Sequence, residues 1–109
     1  MISRQVIRPA ALEDIDNQLD YYELESGLDL ALKFLAGVEQ ATQFLRKQPD
    51  AGSSRESGTP RLKGLRSWPV PAFEDIRVYY VRPDENTLQI VRVLHGKRDV
   101  LRILRQEKE

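Results

Sequence analysis

The chain has 109 residues, a net charge of zero, 40% hydrophobic residues, one His and no Cys, which suits one globular domain over residues 1–109. The absence of Cys excludes a disulfide framework, a thiol nucleophile and a thiolate metal site, and a single His excludes a site built on paired histidines, so no metal or cofactor is expected. No run approaches the ~18 apolar residues of a membrane span and the first five residues begin no secretory signal, so we expect a cytoplasmic protein that makes no membrane contact.

The chain begins with a pattern typical of a strand followed by a helix. The strand covers residues 2–7, and Pro9 suits the first turn of a helix because its missing N–H costs nothing there. Gly27 is predicted to end this helix, since glycine adopts positive φ without a Cβ clash. Between these residues, apolar side chains recur at spacings of three and four, as on one face of a helix: Leu12, Ile15, Leu19 and Tyr22.

A second helix is predicted almost immediately after the first. Asp29 is its predicted N-cap, and Pro49 is predicted to stop it. Two helices joined through Gly27 form an antiparallel hairpin, whose apolar side needs a sheet to cover. The apolar positions of the second helix again repeat at spacings of three and four: Leu30, Phe34, Val38, Ala41 and Leu45.

The second half of the chain predicts a loop followed by three strands. Residues 50–60 are polar and rich in Gly and Ser, as in a loop. A strand over residues 65–71 is expected to be irregular or at a sheet edge, because Pro69 and Pro71 cannot donate ladder hydrogen bonds. Residues 76–81 and 88–94 are rich in β-branched residues and predict two more strands, the second being the most buried. Pro83 to Asn86 predicts the turn between them, with Pro83 at its second position.

The order of these elements predicts an α+β fold. An N-terminal strand and a helix hairpin precede three strands, which short turns make antiparallel neighbours, so one sheet carries both long helices on one face. The segment from Asp99 to Arg105 is compatible with a short C-terminal helix.

Charge is unevenly distributed along the chain. Residues 1–60 hold 6 Lys/Arg and 10 Asp/Glu, whereas residues 61–109 hold 11 and 7. Such a basic segment can attract acidic partners. The alternative is a solvated helix face whose cations lie near the C-terminus of the helix. Because a buried charge needs a partner, Arg92 on the central strand is predicted to pair with a carboxylate such as Asp99. Between residues 92 and 105 the sequence has one carboxylate, Asp99, and five cations: Arg92, Lys97, Arg98, Arg102 and Arg105.

Taken together, several segments resemble the RelE/ParE toxins of bacterial toxin–antitoxin pairs, and within them the ParE branch. The resemblance covers nearly the whole chain, and its most specific part is the run VRVLHGKRD over residues 91–99. It implies a toxin that inhibits DNA gyrase by non-catalytic binding and that a cognate ParD-like antitoxin neutralises. The other segments are Ala10 to Ile15, the Gly27 hinge, Pro49-x-x-Gly52, Gly64 to Val70 and Ile76 to Tyr80.

The RelE branch, which cuts mRNA on the ribosome, is the alternative. Arg77 and Arg98 match arginines of those ribonucleases. The positions of their lysines fall near Trp68 and Val70, and the late tyrosine near Leu104, none of which transfers protons at neutral pH. His95 is the one histidine that could act as a base, but it is also part of the ParE-like pattern. A protein inhibitor is therefore favoured over an enzyme, and a degenerate member that only binds an antitoxin is a third hypothesis.

Two sets of contact residues follow from the resemblance and from charge. An acidic antitoxin tail is expected to contact Arg66, Trp68, Arg77 and Arg98, and gyrase is expected to contact His95, Arg98, Arg102 and Arg105. The toxin alone is not expected to bind nucleic acid sequence-specifically. Structural roles compete with these assignments: Trp68 as a core residue, Arg77 exposed to solvent or paired with Glu74 or Asp75, and His95 hydrogen-bonded to Asp99.

Overall fold

Two long helices and a five-stranded mixed sheet form the protein in a computed structural model that describes residues 2–106. This architecture confirms the predicted α+β fold and its element order. The helices are α1 (Pro9–Ser26), α2 (Leu28–Lys47) and the short α3 (Val100–Gln106), and a 3-10 turn covers Pro60–Leu62. The strands are β1 (Arg4–Ile7), β2 (Ser53–Ser54), β3 (Arg66–Val70), β4 (Phe73–Asp84) and β5 (Thr87–His95).

The sheet has the strand order β1-β5-β4-β3-β2. The predicted meander of three antiparallel strands is present as β3, β4 and β5, and β1 pairs with β5 in parallel, with Val6 opposite Gln89. β5 therefore has a neighbour on each side and is almost completely buried, as its apolar sequence predicted.

The strand at residues 65–71 was predicted to be irregular or at an edge, and its irregularity is confirmed, whereas the turn predicted at Pro83 needs correction. β3 is not at an edge, because the two-residue β2, inside the predicted loop, pairs with it; the expected irregularity is present as a register shift between Pro69 and Val70. Pro83 is not a turn residue, because β4 continues to Asp84. The carboxylate of Asp84 instead accepts hydrogen bonds from Asn86 N and Thr87 Oγ1, which hold its pKa below the usual value.

The helix hairpin follows the prediction except at two residues. Gly27 ends α1 at a φ of 94°, and α2 begins at the next residue, so Asp29 lies in the first turn rather than at the N-cap. Leu12 is 49% exposed, whereas Ala11 is fully buried. Ala11 thus takes the place of Leu12 in the contact face of α1, whereas Ile15, Leu19 and Tyr22 pack on the hydrophobic core as predicted.

The main core lies between the sheet and the helix hairpin, on what we call the hairpin face, to which Ile76, Val78 and Tyr80 of β4 contribute. Phe34 of α2 is fully buried there, and its ring lies 5.4 Å from that of Tyr22 and 5.5 Å from that of Phe73. These contacts join both helices to the start of β4.

A second core covers the opposite side of the sheet, which we call the α3 face. Leu104 of α3 is fully buried in it and packs with residues of the 3-10 turn and of the strands. On β4 the residues of the two faces alternate, as the pleat requires, and on β5 a register shift at Val91 interrupts this alternation. The short C-terminal helix therefore has a structural role that its local sequence did not indicate. The members are Leu62, Leu65, Tyr79, Val81, Val91, Leu94 and Leu104.

Gly52 lies at a close approach between the loop and the sheet. Its N–H donates to the Tyr80 hydroxyl at 3.0 Å, and its carbonyl accepts from Arg66 Nη1 at 2.8 Å. A Cβ at this position would collide with the Tyr80 hydroxyl and would lie 2.9 Å from the Ser67 carbonyl oxygen. Because that carbonyl belongs to an inner strand, the loop would have to move away.

We expect Gly52→Ala to lower the free energy of unfolding by about 2 kcal/mol, as overpacked sites do, measured by urea denaturation. Gly96→Ala is the matched control, because the new Cβ would meet the Asp75 carbonyl oxygen at an ordinary 3.5 Å. Equal stability of the two variants would contradict the close approach at Gly52.

Candidate partner-binding surfaces

Arg92 pairs with a carboxylate, as the sequence predicted, but the partner is Asp14 of α1 and not Asp99. Both carboxylate oxygens of Asp14 lie 2.7 Å from guanidinium nitrogens, and Oδ2 also accepts from Val93 N at 3.0 Å. β1 pairs with β5 only as far as Ile90. Beyond that residue the Asp14 carboxylate of α1 is the acceptor for the backbone of β5, so the partly buried Arg92 and the Val93 N–H anchor the helix to the strand.

Two of the predicted antitoxin contacts lie on the hairpin face. Arg66 and Trp68 of β3 stand opposite Tyr80 and Val78, which belong to the main core. Trp68 is partly buried against this core and stacks on the exposed Phe44 of α2, with ring centroids 4.8 Å apart. Trp68 therefore has the expected core role and, through its stacking on Phe44, also contributes to the surface.

Arg77 lies on the other side of the sheet. It stands opposite Leu94 of the second core, and its guanidinium donates to the hydroxyl and the carbonyl of Ser67. It forms no ion pair with Glu74 or Asp75 within residues 2–106. Arg98 follows β5 in an exposed turn. The four residues predicted to contact the antitoxin thus do not share one face.

The residues predicted to contact gyrase lie along the turn after β5 and on α3. Arg98 and Arg102 are exposed, and within the described part of the chain neither forms an ion pair. Arg105 instead donates from Nε to the Ser57 carbonyl at 2.7 Å, which ties α3 to the preceding loop. The predicted hydrogen bond between His95 and Asp99 is not formed; Asp99 Oδ1 accepts from Arg102 N at 3.4 Å.

The arrangement offers little for proton transfer at a phosphate. His95 stands opposite Ile76 of the main core, whereas Arg77 lies on the α3 face, so these two groups are on opposite sides of the sheet. Val70 and Leu104 are fully buried apolar residues. Burial raises the pKa of the nearby Tyr79 above its usual 10.0, so its hydroxyl stays protonated at neutral pH.

An exposed apolar cluster at the tip of the hairpin was missed from the sequence. Leu24 is 87% exposed, and three further large side chains in the helix ends that meet at Gly27 are more than half exposed. Leucines at 24, 28 and 32, spaced by four residues across Gly27 and outside both predicted stripes, were the available signal. Monomeric proteins seldom expose such groups together, so the tip is a candidate contact surface. Its members are Tyr21, Leu24, Leu28 and Leu32.

Within residues 2–106, no three His, Asp or Glu side chains are grouped so that they could share a metal ion. None of the helices in this part of the chain has the length and apolar character needed to cross a bilayer.

Comparison with known proteins identifies the family. The family model described as the ParE toxin of type II toxin–antitoxin system, parDE, matches residues 6–100. The chain belongs to the ParE toxin family. This confirms the resemblance to ParE toxins that the sequence showed. The protein is therefore the toxin of a type II toxin–antitoxin system. Such a system implies an antitoxin partner.

A solved structure supports the same fold. The ParE toxin is similar to a chain of the chromosomal ParDE TA (toxin–antitoxin) system from P. aeruginosa, with a TM-score of 0.64 and 22% sequence identity. The likeness covers 84% of this chain and 94% of that chain. At this identity it shows the fold alone. No curated protein sequence matches the chain.

Proposed function

We propose that this ParE toxin inhibits DNA gyrase by binding to it, without catalysis, and that a cognate ParD-like antitoxin neutralises it. Membership of the ParE family supports this function. The observation that carries it is the position of the two groups that a ribonuclease would use: His95, a potential base, and Arg77, a potential phosphate-binding cation, lie on opposite faces of the sheet. Cleavage of RNA needs a base at the 2′-hydroxyl and a positive charge at the adjacent phosphate, close together in one site, and these two residues do not form such a site.

Gyrase binding is assigned to the basic end of the chain. Of the four predicted contacts, Arg98 and Arg102 have guanidinium groups that the rest of the described chain leaves unpaired, and His95 begins the turn that presents them. Arg105 acts mainly by holding α3 against Ser57. Exposed cations of this kind both steer the encounter with an acidic partner and fix its orientation.

The double substitution Arg98→Ala and Arg102→Ala is expected to raise the toxin concentration needed for half-inhibition of gyrase supercoiling by roughly 10- to 100-fold, because two charge-assisted contacts are lost. The fold should be unchanged, since both side chains are exposed. Arg4→Ala with Lys33→Ala removes two exposed cations elsewhere and serves as the control. Full inhibition by the folded 98/102 variant would refute this assignment.

The function itself is tested with purified toxin in two parallel assays. Supercoiling and cleavage by gyrase measure the proposed activity, and primer extension on translated mRNA measures cleavage on the ribosome. Inhibition of gyrase with intact messages is the expected result. Cleaved messages with unaffected gyrase would establish the ribonuclease alternative, and silence in both assays would indicate a member that only binds an antitoxin.

Antitoxin binding is assigned to the stacked pair Phe44–Trp68 together with the cations around it. Antitoxin segments that fold on their partner use amphipathic helices in grooves and strands added to sheet edges. Trp68 and Phe44 present aromatic area beside Arg66 on the hairpin face, whereas Arg77 and Arg98 are reached from elsewhere. The antitoxin must therefore extend around an edge of the sheet if it contacts all four predicted residues.

A further inference from the structure

Two guanidinium groups of the toxin meet at one neutral oxygen. Arg55 Nε donates to Ser67 Oγ at 3.1 Å, and Arg77 Nε donates to the same oxygen at 2.9 Å. Arg77 Nη2 lies 3.3 Å from the Ser67 carbonyl oxygen. Ser67 is fully buried on β3, Arg77 is partly buried on β4, and Arg55 directly follows β2.

This pair of cations has no compensating negative charge. Within residues 2–106, neither Arg55 nor Arg77 has a carboxylate oxygen within 4.0 Å, whereas the partly buried Arg92 has the bidentate carboxylate of Asp14. A serine hydroxyl has two lone pairs, and here both are directed toward positive groups. Two like charges held by a neutral acceptor repel each other, so an anion between them would be bound favourably.

Tyr79 adds a third donor to the same place. It stands opposite Ser67 in the sheet register. Burial raises the pKa of its hydroxyl, while the charges of Arg55 and Arg77 act in the opposite direction, so the phenol stays protonated at neutral pH. The protonated phenol donates a hydrogen bond and the guanidinium groups have only donors. The cluster is thus suited to an oxyanion.

We propose that Arg55, Arg77 and Tyr79 form a binding site for a single carboxylate group of the antitoxin, an inference that rests on the proposed function. The site lies next to β2, the edge strand of the sheet, which is two residues long. Sheet edges accept an added strand from a partner, and such a strand would place a side chain beside Arg55.

A carboxylate fits this site better than a nucleic-acid backbone does. The exposed Glu56 is adjacent to Arg55, and the exposed Glu74 and Asp75 precede Arg77 on β4. A long polyanion would meet these negative charges on either side, whereas one side-chain carboxylate would not. The zero net charge of the chain likewise gives no general attraction to phosphate backbones.

The first experiment tests the site on the free toxin, with inorganic phosphate as the simplest oxyanion probe. NMR signals of the Arg Nε–H groups are followed during titration with sodium phosphate against sodium chloride at equal ionic strength. We expect saturable shifts of Arg55 and Arg77 that Arg55→Gln reduces by more than half. Arg4→Gln, on the opposite edge strand, should leave them unchanged. Identical responses to phosphate and chloride would overturn the site.

The second experiment measures the affinity of the toxin for the antitoxin encoded beside it. Arg55→Gln or Arg77→Gln should each raise the dissociation constant at least about tenfold, and the double variant should be little worse than either, since both cations bind one carboxylate. Arg55→Lys should retain part of the affinity, and Arg4→Gln all of it.

The outcomes separate this inference from the proposed function. If the wild-type complex is tight and the glutamine variants bind equally well, the inference fails while the toxin–antitoxin function stands. If the wild-type toxin forms no complex, neutralisation by this antitoxin fails, and the phosphate titration still decides whether the site exists. A phosphate response with unaltered antitoxin affinity would overturn the antitoxin carboxylate as the ligand.

Discussion

Replacing Asp14 with alanine is expected to lower the free energy of unfolding by about 3 kcal/mol, because removing one partner of a buried ion pair leaves a charge without its main compensation. The Asp14 and Arg92 side chains are only 9% and 18% exposed. The substitution also leaves the Val93 N–H without the carboxylate that it binds at 3.0 Å. Urea denaturation followed by the fluorescence of the single Trp measures the loss.

Asp16→Ala is the matched control for this prediction. It removes the same charge from an exposed position two residues further along α1, so we expect a change within about 0.5 kcal/mol. A stability of Asp14→Ala close to that of Asp16→Ala would show that the pair with Arg92 does not hold α1 to β5.

Replacing Phe34 with alanine is expected to have the largest effect, a loss of about 4 kcal/mol in the free energy of unfolding. Phe34 is completely buried, and its ring contacts those of Tyr22 and Phe73, so truncation opens a cavity where α1, α2 and β4 meet. The surrounding backbone belongs to long helices and an inner strand and cannot collapse into the space. The same urea titration provides the measurement.

Phe44→Ala makes the identical truncation on the same helix at a side chain that is 39% exposed. It loses the stacking on Trp68 at 4.8 Å but creates no enclosed cavity, so the expected cost is about 1 kcal/mol. Comparable losses for the two variants would mean that the hairpin does not pack around Phe34 as described. Phe44→Ala also tests the proposed aromatic contact with the antitoxin.

Local patterns predicted the elements of this ParE toxin well. Apolar spacing located both long helices, Gly27 ended the first at its positive φ, and β-branched residues located β4 and β5. These features depend on neighbours within one or two turns of the chain. The fold class followed from their order, because short turns leave few ways to arrange three consecutive strands.

Contacts between distant segments could not be obtained in this way. Asp14 and Arg92 are 78 residues apart, and nearby Asp99 was the obvious but wrong partner. The packing of α3 on the second face depends on Val100, Ile103 and Leu104, whose spacing marks one apolar side of a helix but does not say which face of the sheet it covers. The two-residue β2 exists because β3 provides its partner, and its own sequence is typical of a loop.

The site residues illustrate the same limit. Alternation along one strand places Arg66 and Trp68 on the same side. The face on which Arg77 lies depends on the register of β4 against β3. In the structure Arg77 stands opposite Pro69 and lies on the α3 face. Arg55 was overlooked because it lies in a segment predicted to be a loop, and only the folded sheet brings it to Ser67.

The parallel pairing of β1 with β5 has a consequence for synthesis of the toxin. Residues at opposite ends of the chain, such as Val6 and Gln89, must meet to complete the sheet, and such distant pairings form slowly. A nascent chain cannot acquire its native structure until the final strand has left the ribosome. A message truncated before Thr87 therefore yields a product without β5, the strand that pairs with β1, and without Arg92, which binds Asp14 of α1. We expect such fragments to be harmless and rapidly degraded.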